Sequence, residues 1–158
     1  MRRFLVPVIA IAAALVVGTA AYVAVRSQNP ATAAPTGSTC SGRPCADAGG
    51  YRMTVDGVRR QAGIVRLQVS FKVDGRDHMH AVPADFSLRA GGKTYEPYFL
   101  ARVGCAAWPR TPIADGGSLG PEAVCFKVPS TAGRLTLNWD PDLGILEYFS
   151  SGYDLPLS

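Results

Sequence analysis

The sequence IVRLQVSFKVDG, residues 64–75, decides the fold class of this chain. Apolar and polar side chains alternate along it with a period of two, which places the apolar ones on one face of an extended segment. That face comprises Val65, Leu67, Val69, Phe71 and Val73. The pattern predicts a β-strand that packs one face on a core and turns the other to solvent.

The same alternation recurs in shorter segments at 51–56, 85–89, 124–128 and 135–139. Runs rich in Gly and Pro separate them, as tight turns between strands require. No helix of even three turns is expected after residue 25. Many short strands with one apolar face each must close over one another, so the sequence predicts an all-β fold, an antiparallel β-sandwich.

Three segments carry a resemblance to a known family: VPADFSLRAGGKTYEP (82–97), VCFKVP (124–129) and LTLNWDP (135–141). They resemble the telokin-like, immunoglobulin-like domains of secreted or membrane-anchored Gram-positive bacterial proteins, which include a mycobacterial secreted antigen family. The framework positions that carry it are Phe86, Tyr95, Phe126, Pro129 and Trp139. The resemblance covers roughly 51–145 and implies an immunoglobulin-like sandwich. It also implies a role as an envelope or host-facing interaction module, and it brings no catalytic residue.

The N-terminus carries a long apolar run, FLVPVIAIAAALVVGTAAYVAV, at residues 4–25. A helix of that length without a charge spans a ~30 Å hydrocarbon core. Arg2 and Arg3 precede the run, a placement that favours an N-terminus inside and a C-terminus outside. We predict a transmembrane signal anchor over 1–26 and a single-pass membrane protein with its C-terminal domain extracellular. The alternative is a secretory signal cleaved near the Ala-Thr-Ala at 31–33, which exports the rest of the chain equally.

Residues 27–50 are rich in Pro, Ala, Gly and Ser and have no apolar periodicity. Such a segment buries too little apolar surface to offset the entropy of ordering it. It is predicted to be a flexible linker that holds an immunoglobulin-like domain, residues 51–158, away from the membrane.

Charge excludes one class of partner. Twelve basic and eleven acidic residues lie in 51–158, so the predicted domain is nearly neutral. No basic stripe with interleaved aromatic residues appears there, and the electrostatic footprint of nucleic-acid binding is missing. Nucleic acid is therefore not expected as a partner.

The four cysteines are expected to form disulfides, because an exported chain meets an oxidising environment. Of the three possible connectivities we favour Cys105 with Cys125 and Cys40 with Cys45. Cys125 lies between two apolar neighbours that face the core, so its side chain should point outward and fasten a loop or the linker. The crossed pairings would pin the linker to the domain. The spacing does not match the paired cysteines of a zinc site.

The sequence DHMH, residues 77–80, raises the question of a metal site. In an extended segment His78 and His80 project to the same side and Met79 to the other, and imidazole with thioether suits copper. Two histidines alone make a poor site, and a polar loop between strands accounts for them equally. We expect no metal and no cofactor, and we keep His78, Met79 and His80 as weak candidate ligands.

The sequence GGSLG, residues 116–120, matches the G-x-S-x-G pattern of a nucleophile elbow. In that elbow the serine lies between a strand and a helix, and the acid and the histidine follow it in the chain. Here a predicted strand follows Ser118, and both histidines precede it. We therefore expect a glycine-rich loop, no catalysis by Ser118, and no enzymatic activity.

The segment YEPYFLARVGCAAWP, residues 95–109, concentrates aromatic residues in a predicted loop. Aromatic residues beside arginines are typical of interface anchors, although they can also cap the end of a sandwich. The interaction candidates are Tyr98, Phe99, Arg102, Trp108 and Arg110. We predict a non-enzymatic binding or interaction module of the bacterial cell envelope, with a protein or another envelope component as its partner. The alternatives are a copper-binding envelope protein and a structural accessory subunit of a membrane assembly.

Overall fold

The computed structural model describes residues 37–77, 79–143 and 152–157. Within these ranges no helix is long and apolar enough to cross a lipid bilayer. The predicted signal anchor over 1–26 and the first part of the predicted linker, 27–36, lie outside the described residues.

The described part of the chain is built from strands, joined by turns and by two short 3-10 turns at Pro83–Asp85 and Ala101–Val103. The strands are β1 (Ser38–Cys40), β2 (Arg43–Asp47), β3 (Tyr51–Gln61), β4 (Ile64–Val73), β5 (Met79–Ala81), β6 (Phe86–Ala90), β7 (Lys93–Tyr95), β8 (Thr111–Ile113), β9 (Ser118–Lys127), β10 (Leu135–Trp139) and β11 (Tyr153–Leu157). The prediction of an all-β fold is confirmed.

The strands form two larger sheets and one short ribbon. One sheet has five strands in the order β1-β2-β3-β4-β9, the other has four in the order β11-β10-β6-β7, and β5 pairs with β8. Every pairing is antiparallel. Strand β4, the stretch that decided the fold class, is an interior strand of the larger sheet, between β3 and the edge strand β9.

The two larger sheets face each other across one apolar core, as in a sandwich. Tyr51 of β3 meets Trp139 of β10 edge to face, with ring centroids 5.2 Å apart. Phe71 of β4 lies 6.1 Å from Phe86 of β6, so aromatic rings from both sheets interlock. The predicted inner face of β4 is confirmed, since each of its five apolar residues is buried: Val65, Leu67, Val69, Phe71 and Val73.

A β-bulge shifts the pairing register between β9 and β4. The β4–β9 register shifts between Val69 and Phe71, opposite Gly120. Gly120 has φ of +112°, and a Cβ there would lie 2.7 Å from the Val69 carbonyl oxygen. Only glycine fits such a close backbone approach at a positive φ.

The structure corrects the boundary of the predicted linker, which extended to residue 50. Strand β2 pairs with β3, and Cys45 and Ala46 within it are almost completely buried. Strands β1 and β2 form a hairpin whose turn residues, Ser41 and Gly42, both have positive φ. This hairpin is held by backbone pairing and a disulfide rather than by an apolar stripe, so its composition resembled a linker.

Candidate functional site

Both predicted disulfides are confirmed. Cys105 is bonded to Cys125 and Cys40 to Cys45, and no described cysteine is free. Cys125 lies opposite Arg66 of β4, on the outer face of the sheet, as the alternation predicted. It is nevertheless buried, because the segment joined to it by the disulfide covers that face. We call this segment, residues 98–110, the disulfide loop.

Backbone hydrogen bonds anchor the start of the disulfide loop. The Tyr98 N–H donates to the Cys125 carbonyl oxygen at 2.7 Å. The Leu100 N–H donates to the Cys105 oxygen at 2.8 Å, which closes the loop on itself around a 3-10 turn. The exposed part of the loop is therefore held by a disulfide and by its own backbone.

Trp108 anchors the end of the disulfide loop and is not an exposed binding residue. Its indole Nε1–H donates to the Ala123 carbonyl oxygen of β9 at 3.0 Å. Its ring meets Phe71 of the core edge to face at 6.2 Å. Arg110, a further interaction candidate, lies 3.4 Å from the carboxylate of Asp142. Trp108 therefore holds the end of the loop on the domain, and Arg110 is exposed beside Asp142.

Between its anchors the disulfide loop exposes apolar surface. Phe99 is 46% exposed and Val103 42%, and no other large hydrophobic side chain in the described ranges is as exposed. Arg102 lies between them in sequence and is also exposed. Tyr98, the remaining candidate, is half-buried. Four of the five predicted interaction residues, Tyr98, Phe99, Arg102 and Arg110, therefore contribute to the accessible surface.

Arg102 lines an open cavity of about 360 Å³ together with two arginines of the sheet, Arg59 on β3 and Arg66 on β4. We call this cavity the basic pocket, after its three arginines. Its remaining lining is supplied by Gln61, Ala62, Ile64 and Val103. Arg59 and Arg66 were not predicted from the sequence, because they are distant from the disulfide loop in the chain.

A β-bulge directs Arg59 to the outer face of the sheet. Up to Val55 the odd-numbered residues of β3 face the core, but the register with β4 shifts between Val55 and Gly57. Beyond the shift Arg59 is the direct partner of Arg66, an outward residue of β4. The one sequence signal of this change is Gly57, since an isolated glycine in a strand pattern often marks a bulge.

None of the three arginines of the basic pocket forms an ion pair within the described residues. Other arginines of the domain do have carboxylate partners. The pairs are Arg43 with Asp56, Arg52 with Asp47, Arg89 with Asp154 and Arg110 with Asp142. The basic pocket is thus a cluster of three arginines without a carboxylate partner among the described residues.

Two neighbours lie beside the guanidinium of Arg66. The Gln68 amide, oriented by its hydrogen bonding, accepts from Nε and Nη2 of Arg66, each at 3.2 Å. Gly104 of the disulfide loop lies against the other side, where a Cβ would be 2.6 Å from Arg66 Nη1. An arginine has five N–H groups, so three remain free for another acceptor.

A second open cavity, of about 430 Å³, adjoins the basic pocket. Its lining is mainly apolar and aromatic: Ala62, Gly63, Ile64, Tyr95, Tyr98, Lys127, Val128 and Pro129. We call it the apolar groove. Ala62 and Ile64 line both cavities, so charged and apolar surfaces meet at the turn between β3 and β4. Tyr95 and Pro129, two of the framework positions, border this groove, whereas Phe86, Phe126 and Trp139 are buried.

Among the described residues of the other motifs, no chemically reactive or metal-binding side chains converge. Met79 packs against the core from β5, and the His80 carbonyl oxygen accepts from the Tyr51 hydroxyl at 3.1 Å. His78 lies outside the described residues. Within the described ranges, no three His, Cys, Asp or Glu side chains are placed to hold a metal ion. Ser118 is exposed and begins strand β9, opposite Lys72.

The sequence matches no protein-family model and no curated protein. Two solved structures from Bacillus subtilis have a similar fold. The YjhA protein superposes with a TM-score of 0.56 at 16% identity, over 70% of this chain and 95% of YjhA. YcdA, a candidate lipoprotein, superposes with a TM-score of 0.52 at 15% identity, over 67% of this chain but only 36% of YcdA. At these identities the likeness concerns the fold alone.

Proposed function

We propose that the chain is a non-enzymatic binding module with an immunoglobulin-like fold, anchored in the membrane and displayed on the outside of a bacterial cell. The uncharged run at 4–25 supports the anchor. The two disulfides support an oxidising compartment, because such bonds rarely persist in a reducing cytoplasm. The fold similarity to a candidate lipoprotein is consistent with a place in the cell envelope.

One observation carries the binding role: the exposed apolar side chains and the uncompensated arginines lie together. Phe99 and Val103 project from a loop that is held by a disulfide, and Arg102 of the same loop lines the basic pocket. Aromatic residues and arginine are the types that dominate binding energy at interfaces. A loop fixed before binding loses less entropy when a partner is engaged.

The absence of catalysis is part of the proposal. Ser118 leads directly into strand β9, whereas the nucleophile of an elbow needs a strand on one side and a helix on the other. The copper-binding alternative depends on His78, and its described neighbour Met79 is packed against the core. The surface formed by the disulfide loop is therefore better supported as the functional site than Ser118 or the DHMH motif.

Photo-crosslinking in intact cells tests the binding role. A photoreactive amino acid replaces Phe99 in the full-length chain, and a matched variant carries it at Lys93, an exposed position of β7 in the other sheet. We expect adducts from position 99 and none from position 93. Adducts from position 93 alone would support an accessory subunit whose contacts lie elsewhere. The absence of adducts from position 99 would contradict the proposed function.

Protease added to whole cells tests the topology. The C-terminal domain is expected to be digested without lysis, because the anchor places it outside. A domain that is cleaved only after the membrane is broken would contradict the proposed location.

A further inference from the structure

We infer that the basic pocket binds the phosphate group of a phosphate ester whose apolar part lies in the adjoining apolar groove. This inference rests on the proposed binding function and deepens it, because it names the chemistry of what is bound. It depends on three features of the structure: the uncompensated charge, the arrangement of donors and the continuity of the two cavities.

The first feature is charge. Arg59 and Arg66 are direct partners on neighbouring antiparallel strands, and Arg102 lines the same cavity. Like charges directly opposite each other destabilise a sheet. No carboxylate of the described residues compensates these arginines, although carboxylates compensate arginines elsewhere on the same sheets. A bound anion removes this repulsion, so the pocket favours a ligand with more than one negative charge.

The second feature is the arrangement of donors. Gln68 accepts from two N–H groups of the Arg66 guanidinium and leaves three free, and the Gly104 backbone lies beside it. Arg59 and Arg102 add two further planar donor groups from a different strand and from the disulfide loop. A phosphate monoester carries close to two negative charges and offers three terminal oxygens, one for each guanidinium. A carboxylate offers only two oxygens and one charge, which favours phosphate as the ligand group.

The third feature is the continuity of the two cavities. Ala62 and Ile64 line the basic pocket on one side and the apolar groove on the other. Each cavity, of about 360 and 430 Å³, is within the range of small-molecule sites. Tyr95, Tyr98 and Pro129 offer flat apolar surface at the far side. A ligand with a phosphate and an attached aromatic or aliphatic group satisfies both regions at once.

Calorimetric titration tests the inference. The full-length chain is placed in nanodiscs of zwitterionic phosphatidylcholine and titrated with phenyl phosphate, inorganic phosphate and benzoate. We expect phenyl phosphate to bind most tightly, because it alone fills both regions. Inorganic phosphate should bind more weakly and benzoate most weakly. A further titration with dihexanoyl phosphatidic acid, a lipid phosphate monoester, distinguishes sources: tighter binding than phenyl phosphate assigns the site to a lipid headgroup, and weaker binding assigns it to a soluble ester.

Three variants locate the site. Arg66→Gln and Arg102→Gln each remove one donor group, and each should weaken phenyl phosphate binding by about tenfold or more, the usual effect of losing a charge-assisted hydrogen bond. Lys93→Gln removes the same charge from β7, outside the pocket, and should leave the affinity unchanged. Arg102 is an exposed loop residue, so Arg102→Gln decides the question if Arg66→Gln does not fold.

Two results of these titrations would overturn the inference: no binding of phenyl phosphate by the native chain at millimolar concentration, or equal weakening of that binding by Lys93→Gln and Arg102→Gln. The second result would mean that only net charge attracts the anion. If adducts still form from position 99 while no phosphate ester binds, the inference fails and the proposed binding function stands. Tight binding of an acidic peptide in place of the phosphate esters would also overturn the inference, since it would assign the pocket to a protein partner.

Discussion

Cys105 of the disulfide loop is bonded to Cys125 on the outer face of β9, with the two Cα atoms 5.8 Å apart. The bond covers Cys125 and fixes the loop that exposes Phe99 and carries Arg102. A single covalent link therefore connects the stability of the sheet to the shape of the candidate binding surface.

Removing this link should destabilise the domain more than removing the other disulfide. The Cys105–Cys125 bond spans 20 residues and the Cys40–Cys45 bond spans 5. Loop-closure entropy predicts a loss of about 3 kcal/mol for Cys105→Ala with Cys125→Ala and of about 2 kcal/mol for Cys40→Ala with Cys45→Ala. Urea unfolding of the two double variants measures both. A larger loss on removing the Cys40–Cys45 bond would show that native contacts, not loop length, set the effect.

The sequence predicted those features of the fold that depend on residues close together in the chain. The inward face of β4 was predictable because side-chain direction alternates residue by residue. The same alternation placed Cys125 outward and supported its pairing with Cys105. The sheet position of residues 43–47 was not predictable, because β2 is held by backbone pairing to β3, which leaves no apolar pattern.

The basic pocket was hidden for a different reason. Its arginines come together through a bulge that changes the phase of β3 and through a disulfide that folds a distant loop over the sheet. By simple alternation from Tyr51, Arg59 would face the core, yet the bulge before Gly57 places it on the outer face. A pattern read along one strand cannot give the face on which such a residue emerges.

Gly120→Ala should destabilise the fold by roughly 1–3 kcal/mol, the usual cost of a strained backbone position. The new Cβ would lie 2.7 Å from the Val69 oxygen, at a φ of +112° that side chains rarely adopt. Gly57→Ala is the matched control, because nothing lies within 4 Å of its Cβ position and its φ is not positive. Thermal unfolding of both variants compares them. Equal effects would mean that the close approach at Gly120 relaxes readily.

Asp47→Asn should lower stability at neutral pH and have no effect in strong acid. The Gly50 N–H donates to Asp47 Oδ1 at 2.7 Å, and this hydrogen bond, with Arg52 beside it, holds the pKa of the carboxyl below its ordinary value. The stabilisation is therefore present above the unfolded-state pKa of about 4 and is lost as the pH falls through the lower folded-state pKa. Because Asp47 and Arg52 are both partly exposed, the stabilisation at pH 7 should be at most about 1 kcal/mol.

Urea unfolding at pH 7 and pH 2 measures this dependence on pH. Asp74→Asn is the control, because its carboxylate is 79% exposed and 3.8 Å from Lys72. It should change stability less than Asp47→Asn at pH 7. A difference between native and Asp47→Asn protein that is the same at both pH values would assign the effect to lost packing and not to the charge.

Arg59→Thr should raise the stability of the ligand-free domain, by about 0.2–1 kcal/mol, because it removes one of two like charges that face each other across β3 and β4. Arg52→Thr is the control on the same strand and should lower stability, since Arg52 pairs with Asp47 at 2.9 Å. Phenyl phosphate at saturation should change the difference in stability between Arg59→Thr and the native chain. The native chain gains stability by binding and the variant gains less, so the difference between them should shrink or reverse. If Arg59→Thr destabilises the domain as Arg52→Thr does, then the arginines of the basic pocket do not repel each other, and an anion bound there relieves no repulsion.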